Sequence, residues 1–405
     1  MASGPSALRL KRLVNAPPAE TFRMFTHPVA LRDWLCDAAQ VEPQKGGRLY
    51  LWWSSGAHAT GAYTTFEPGK RLAIEWHHSR EPEPARVRIA LAAKDGGTQV
   101  TLTHALGPGP KWRKVAPAAR EAWESALEHL QSALETGIDL RIARLPRLGI
   151  FIDDFNAEIA ARLGVPVDKG IRLAGVADGA GAQAAGLQKD DVIVKLGGKK
   201  VSDFASLGAA LQDRQAGEVV PVLFYRGDRK MSAQMELSKR PQAEMPPLAE
   251  LVDRVRKKYS EIDAGFAKLV EGVSEDEAGS RPSTDAWSVK DAIAHFILME
   301  RDTQSWFAQM ANDREIGESL EFRPNVEARV RAVREVHPAL DVLLDELMRS
   351  EQETVAMLSA LPAEFVTRKH LYRRVTGWML EVIPGHFTEE HLGLMQAAIQ
   401  SARQK

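Results

Sequence analysis

Leu148-Gly-Ile-Phe-Ile-Asp-Asp154 decides how the middle of this 405-residue chain is read. A glycine opening a short apolar run lets the backbone turn closely, and the amides of residues 149–151 are then free to converge. The apolar run after it predicts a strand. Further along come Gly170-Ile-Arg-Leu-Ala-Gly-Val176, Ala182-Gln-Ala-Ala-Gly-Leu187, Asp190-Asp-Val-Ile-Val194 and Gly197-Gly-Lys-Lys-Val201. A helix is expected over about 203–214, and a last hairpin around Arg226-Gly-Asp228. Short strands broken by glycine turns make residues 145–238 a module of their own.

The texture changes on both sides. Toward the N-terminus, Leu8-Arg-Leu-Lys-Arg-Leu-Val14, Val87-Arg-Ile-Ala-Leu91 and Val100-Thr-Leu-Thr-His104 alternate apolar with polar, the pattern of half-buried strands. Short helices are expected over about 19–37. A long one over about 111–134 carries Trp123, Leu127, Leu130 and Leu134 at three- and four-residue steps, one apolar stripe. Toward the C-terminus, Ser238-Lys-Arg-Pro-Gln-Ala-Glu-Met-Pro-Pro247 reads as a linker (239–247). Beyond it everything is helical, with Leu248, Leu251, Val255, Ile262, Phe266 and Leu269 near heptad spacing. Such helices bury their stripes in a bundle over 248–405.

Composition bounds the rest. There are 53 basic and 54 acidic residues, a formal net charge of -1. That builds no basic field, so nucleic acid is not an expected partner. The one cysteine, Cys36, permits no intrachain disulfide. The first residues show no apolar core of signal-peptide length, and no run of about 18 apolar residues occurs. A cytoplasmic protein without a membrane partner is expected.

Three resemblances follow from these motifs. Val14-Asn-Ala-Pro-Pro-Ala-Glu-Thr-Phe22, Trp34, Gly46-Gly-Arg48, Gly61-Ala-Tyr63, Phe66-Glu-Pro-Gly-Lys-Arg-Leu72 and Gly96-Gly-Thr98 resemble the START-like (SRPBCC) superfamily with its helix-grip fold. Within it, residues 1–140 look most like the group related to activators of the heat-shock chaperone ATPase (AHSA-type). The resemblance implies a small-ligand cavity or a protein-binding face. Trp53, Tyr63, Trp76 and Trp123, with Trp52 and Trp112, either line an apolar pocket or fill the core. His77 and His78 are strand neighbours, so only one can enter such a cavity.

The middle module resembles PDZ domains of the HtrA-protease type. This implies capture of an extended or C-terminal peptide by Leu148, Gly149, Ile150, Phe151 and Ile152, with Phe204, Leu207 and Leu211 contributing to the groove or the core. The alternative is a groove filled by the chain itself. No Gly-x-Ser-x-Gly signature accompanies it.

Asp285-Ala-Trp-Ser-Val-Lys-Asp-Ala-Ile-Ala-His295 and Gly385-His-Phe-Thr-Glu-Glu-His391 resemble the DinB-like four-helix proteins, which overlap with thiol transferases. That resemblance implies a divalent metal held by His295, His386 and His391; imidazole and carboxylate ligands would suit zinc or nickel. The last pair is five residues apart, about 500° on an α-helix, so the side chains diverge by about 140°. A π-bulge would bring them together, or Glu390 would supply an oxygen. The expected fold class is multidomain α+β: helix-grip domain, PDZ domain, all-α bundle. The expected function is a binding adaptor; the alternative is a metal-dependent, thiol-transferase-like enzyme centred on the bundle.

Overall fold

The structure, a computed structural model, describes residues 7–212, 214–240, 242, 244–284, 286–312 and 325–404. Outside these lie residues 1–6, on which part of the leader reading rested, and Pro241 and Ala243 of the expected linker. The side chain of Glu390 also lies outside the described set. The chain forms two compact units, one made of residues 1–137 and 243–405, the other of Ile138–Gln242.

In the first unit, seven strands form one antiparallel sheet: β1 (Ala7–Val14), β2 (Ala38–Val41), β3 (Arg48–Trp52), β4 (His58–Glu67), β5 (Arg71–His78), β6 (Ala85–Lys94) and β7 (Gly97–Ala105). Their spatial order is β1-β7-β6-β5-β4-β3-β2. The alternation has its physical outcome in β6, where Val87, Ile89 and Leu91 are buried and Arg86 and Arg88 exposed. Two short helices, α1 (Pro18–Arg23) and α2 (Pro28–Trp34), lead to β2. The long helix α3 (Pro110–Glu135) packs Trp123, Leu127, Leu130, Ala133 and Leu134 into the sheet's core. This is the helix-grip arrangement.

The same unit holds the helical segment. Its long helices are Leu248–Leu269, Val289–Ala311 and Leu340–Ser359, followed by a helical run from Lys369 to Arg403. Leu251, Val255, Ile262 and Phe266 of the first are buried, the expected stripe, with Leu248 and Leu269 at its half-buried ends. Ser288 caps the second helix in a capping box with Asp291. The helices also meet the N-terminal module. Gly137, at φ +69°, lies so near Lys369 that a Cβ there would sit 2.4 Å from its carbonyl oxygen. Arg373 donates to the Thr136 carbonyl at 3.0 Å. Val29 of α2 joins the bundle's core.

The second unit is a six-stranded antiparallel sheet: β8 (Ile150–Asp153), β9 (Ile171–Val176), β10 (Val192–Leu196), β11 (Lys199–Lys200), β12 (Val219–Arg226) and β13 (Arg229–Glu236). The order is β13-β12-β10-β9-β8, with β11 on β10. The helix Phe204–Leu211 is capped by Asp203. The core is Leu148, Ile171, Leu173, Leu187, Ile193, Leu207, Val220, Val222, Phe224 and their neighbours. The Arg226 guanidinium of the last hairpin donates twice to fully buried Asp191, at 2.7 and 2.8 Å, which explains the acid in the Asp-Asp-Val motif. No described helix is long and apolar enough to cross a membrane.

Candidate peptide groove, apolar cavity and histidine cluster

In the second unit β8 stands at the end of the sheet, paired with β9 on one side only. Gly149 precedes it at φ +74°, and a Cβ there would lie 2.0 Å from the Ala180 Cβ. Only glycine satisfies both constraints. The Leu148 and Gly149 carbonyls accept from Ala182 and Ala177 at 3.0 and 2.8 Å, which pins the turn. Among the described residues no backbone carbonyl takes the Gly149 amide. Phe151 and Ile152 are exposed, and so is Phe204 at 73%. Leu207 instead belongs to the core and Leu211 packs against it. Arg172 on β9 anchors the far end of β8 through Asp153 and the Asp154 carbonyl at 3.2 Å, and its guanidinium also lies 3.1 Å from Asp190, just before β10.

Between the N-terminal sheet and α3 lies a cavity of about 460 Å³. Trp53, Trp76 and Trp123 line it, together with Val115, Ala119 and Ala122. Tyr63 does not reach it. That ring is buried deeper, beside a void of only about 20 Å³. Trp52 is partly exposed, and Trp112 packs with Leu8 and Leu106. His78 faces the cavity, stacked parallel on Trp76 at 6.0 Å, whereas His77 is exposed beside Glu75. Burial holds the His78 imidazole below its ordinary pKa. The wall is not wholly apolar, since Arg80, Glu81 and Lys114 also border it. Glu81 lies 3.4 Å from fully buried His104, without the alignment of a hydrogen bond, and His104 Nδ1 accepts from Trp123 at 3.2 Å. The buried Trp76 Nε1 has no hydrogen-bond partner among the described residues.

In the bundle the last helical run contains two π-helical stretches, Trp378–Val382 and His386–His391. The second spans the five-residue step between the two histidines. An i→i+5 hydrogen-bond register stacks residues five apart over one turn, so both side chains aim the same way. His386 Nε2 lies 3.0 Å from His295 Nε2 and 3.2 Å from His391 Nε2. All three ligand atoms fall within 4.8 Å of one another. For metal–nitrogen bonds of about 2.0–2.1 Å, tetrahedral geometry separates neighbouring nitrogens by about 3.3 Å. The trio therefore fits a divalent ion with a further position left over. Burial, then the neighbouring imidazoles, pushes the His295 pKa down to about 3, favouring the neutral form that ligates. Trp287 lies parallel to His391 at 5.9 Å, and its indole N–H donates to Glu327 at 2.6 Å.

The sequence reading missed two groups: the Glu81–His104–Trp123 set, and a buried set formed by Tyr259, Asp263, Glu300 and Glu351. The signal for the second was available. Glu300 and Glu351 fall among buried positions of amphipathic helices, beside Ile297 and Leu347.

Three family models match the chain in order: activator of Hsp90 ATPase homolog 1-like protein over residues 15–135, PDZ domain over 146–237, and DinB superfamily over 258–395. Among curated proteins, the mouse activator of 90 kDa heat shock protein ATPase homolog 1 is 24% identical over 119 residues, covering 29% of this chain and 33% of its own. The periplasmic serine endoprotease DegP of Escherichia coli K12 is 30% identical over 90 residues, 22% of this chain and 19% of its own. A DegP-like probable periplasmic serine endoprotease from Marinomonas is 25% identical over 182 residues, 44% of this chain and 39% of its own. The chain thus spans about two fifths or less of the length of these curated relatives. A solved HSP90 activator from Plasmodium falciparum is 21% identical, covering 32% of this chain and 94% of its own, at a TM-score of 0.28. Successive segments of the chain thus match the AHSA-type START-like, PDZ and DinB families, and the chain is multidomain.

Proposed function

We propose that the chain is an adaptor whose middle unit captures an extended peptide or a protein C-terminus. The observation behind this is β8: an edge strand, entered through an obligatory glycine turn, with Phe151 and Ile152 exposed. An incoming strand would satisfy the edge amides, the Gly149 turn would receive a carboxylate, and Phe204 would meet an apolar side chain. The flanking cavity suits a small apolar ligand with one acceptor group for the Trp76 indole N–H. A screen of peptides with apolar C-termini tests the reading. Saturable binding that Gly149→Val removes supports it. No binding up to about 1 mM, some 4 kcal/mol, refutes it.

The histidine geometry favours a second reading, an enzyme of the thiol-transfer class. His295, His386 and His391 would hold zinc or nickel, which would supply Lewis acidity to a thiol. Trp287 would wall the site and keep His391 oriented. Metal analysis of protein purified without chelator, followed by zinc titration, decides whether this site loads. We place the protein in the cytoplasm on the strength of its single, buried cysteine; fractionation of the source cells checks that.

A further inference from the structure

The bundle contains a second group of ionisable side chains that the histidine site does not use. Glu300 is fully buried. It accepts from the Tyr259 hydroxyl at 2.8 and 3.0 Å and from the Thr354 hydroxyl at 2.6 Å. Glu351, only 3% exposed, has Asp263 as an acidic neighbour that raises it. Burial raises all three carboxyls, Glu300 to about 7; for Glu351 burial and then the neighbouring acids together bring it to about 10. Among the described residues no cation shifts any of the three carboxyls. An acid held this way carries a proton it would lose in water.

A cavity of about 330 Å³ opens onto this group. Tyr259, Asp263 and Glu351 form its polar wall, and Met348, Val355 and Ala356 its apolar one. Glu351 Oε1 is buried and has no hydrogen-bond partner among the described residues. A buried oxygen left unsatisfied is costly, and here its residue lines a space large enough for a ligand. Arg256 also borders the cavity, but its guanidinium is 59% exposed and pairs with Asp253 at 3.0 Å.

We propose that this cavity binds a small organic ammonium ion, a primary amine on a short aliphatic body, through the carboxyl groups of Glu351 and Asp263. Tyr259 and Glu300 stand behind them and hold the wall. On binding, the ammonium keeps its protons and replaces the proton on the buried acid, which leaves to solvent. A bare metal ion fits less well. Among the described residues only the three histidines bring three ligand atoms within 4.8 Å, so the carboxyl oxygens do not converge on one point. The apolar wall would also have no role.

Calorimetric titration of the full chain at pH 8 tests this. The probes are n-butylammonium chloride, 1-butanol as the neutral control of similar shape, and magnesium or calcium chloride. The expected result is saturable binding of butylammonium alone, with a heat that depends on the buffer's ionisation enthalpy because a proton is released. Glu351→Gln and Asp263→Asn should each weaken it at least tenfold. Asp263 lies at the half-buried rim, so its variant serves if Glu351→Gln fails to fold. The proposal is overturned by absence of saturation, by unchanged affinity in folded variants, or by magnesium or calcium binding that these same substitutions remove.

Discussion

Glu351 and Gly149 show how single positions carry the account. The carboxyls of Glu300 and Glu351 are raised in the folded protein to about 7 and about 10. Unfolding would return them to the ordinary range near 4.5. Between those limits the folded chain binds more protons than the unfolded one, so stability declines as pH rises. Their contribution is intact below about pH 4.5 and is lost progressively as pH climbs through 7 toward 10. The two acids influence each other, so the loss is shared rather than stepwise. Glu351→Gln should therefore raise Tm at pH 8–9 and change it little at pH 5, read by thermal melts across that range. Equal effects at both pH values would contradict the assignment. At Gly149 any side chain meets both a positive φ and the Ala180 Cβ. Gly149→Val should cost about 1–3 kcal/mol, measured by urea denaturation of the isolated change in the full chain.

The π-helical turn over His386–His391 decides the histidine cluster at the scale of an element. A five-residue step between ligands defeats a regular α-helix, and the widened register restores a common face. A π-turn amounts to one extra residue in an α-helix, so deleting Thr388 should leave Met395, Ala398 and Ile399 in the core. The histidines would then be four apart. Zinc binding should survive, with a stability cost of no more than about 2 kcal/mol. His386→Ala should abolish zinc binding, as followed by titration. Loss of binding in the deletion would show that the π-turn matters beyond spacing.

Much of the element pattern was legible beforehand because period-2 and period-3.6 patterns report burial directly, as in Val87-Ile89-Leu91 and Leu251-Val255-Ile262. The Ser288 cap was legible too, as local backbone chemistry. What escaped was set by tertiary packing. Tyr63 and Trp76 lie on the same sheet, yet only Trp76 reaches the large cavity. Leu207 reads equally as groove or core until its neighbours are known. Glu300 and Glu351 fall on the buried stripes of their helices, but the partners they meet are set only when the helices come together.

At the scale of the molecule, the N-terminal sheet and the C-terminal helices form one compact unit although about a hundred residues of chain separate them. His370 Nε2 lies 2.5 Å from Asp33 Oδ2, both side chains only 10% exposed, close in distance though not aligned as a hydrogen bond. Removing one partner leaves a buried polar atom uncompensated, a cost of about 1–3 kcal/mol. His370→Ala should lower the calorimetric transition of this unit and leave that of residues 138–242 where it is. Movement of both transitions together would argue against two units. The adaptor role itself rests on the margin of β8 accepting another strand. Hydrogen exchange of the full chain with and without a peptide bearing an apolar C-terminus addresses it most directly. The account predicts slowed exchange concentrated at the amides of residues 149–153. Unchanged exchange there at a saturating concentration of a peptide that binds elsewhere, or at about 1 mM peptide without binding, would contradict it.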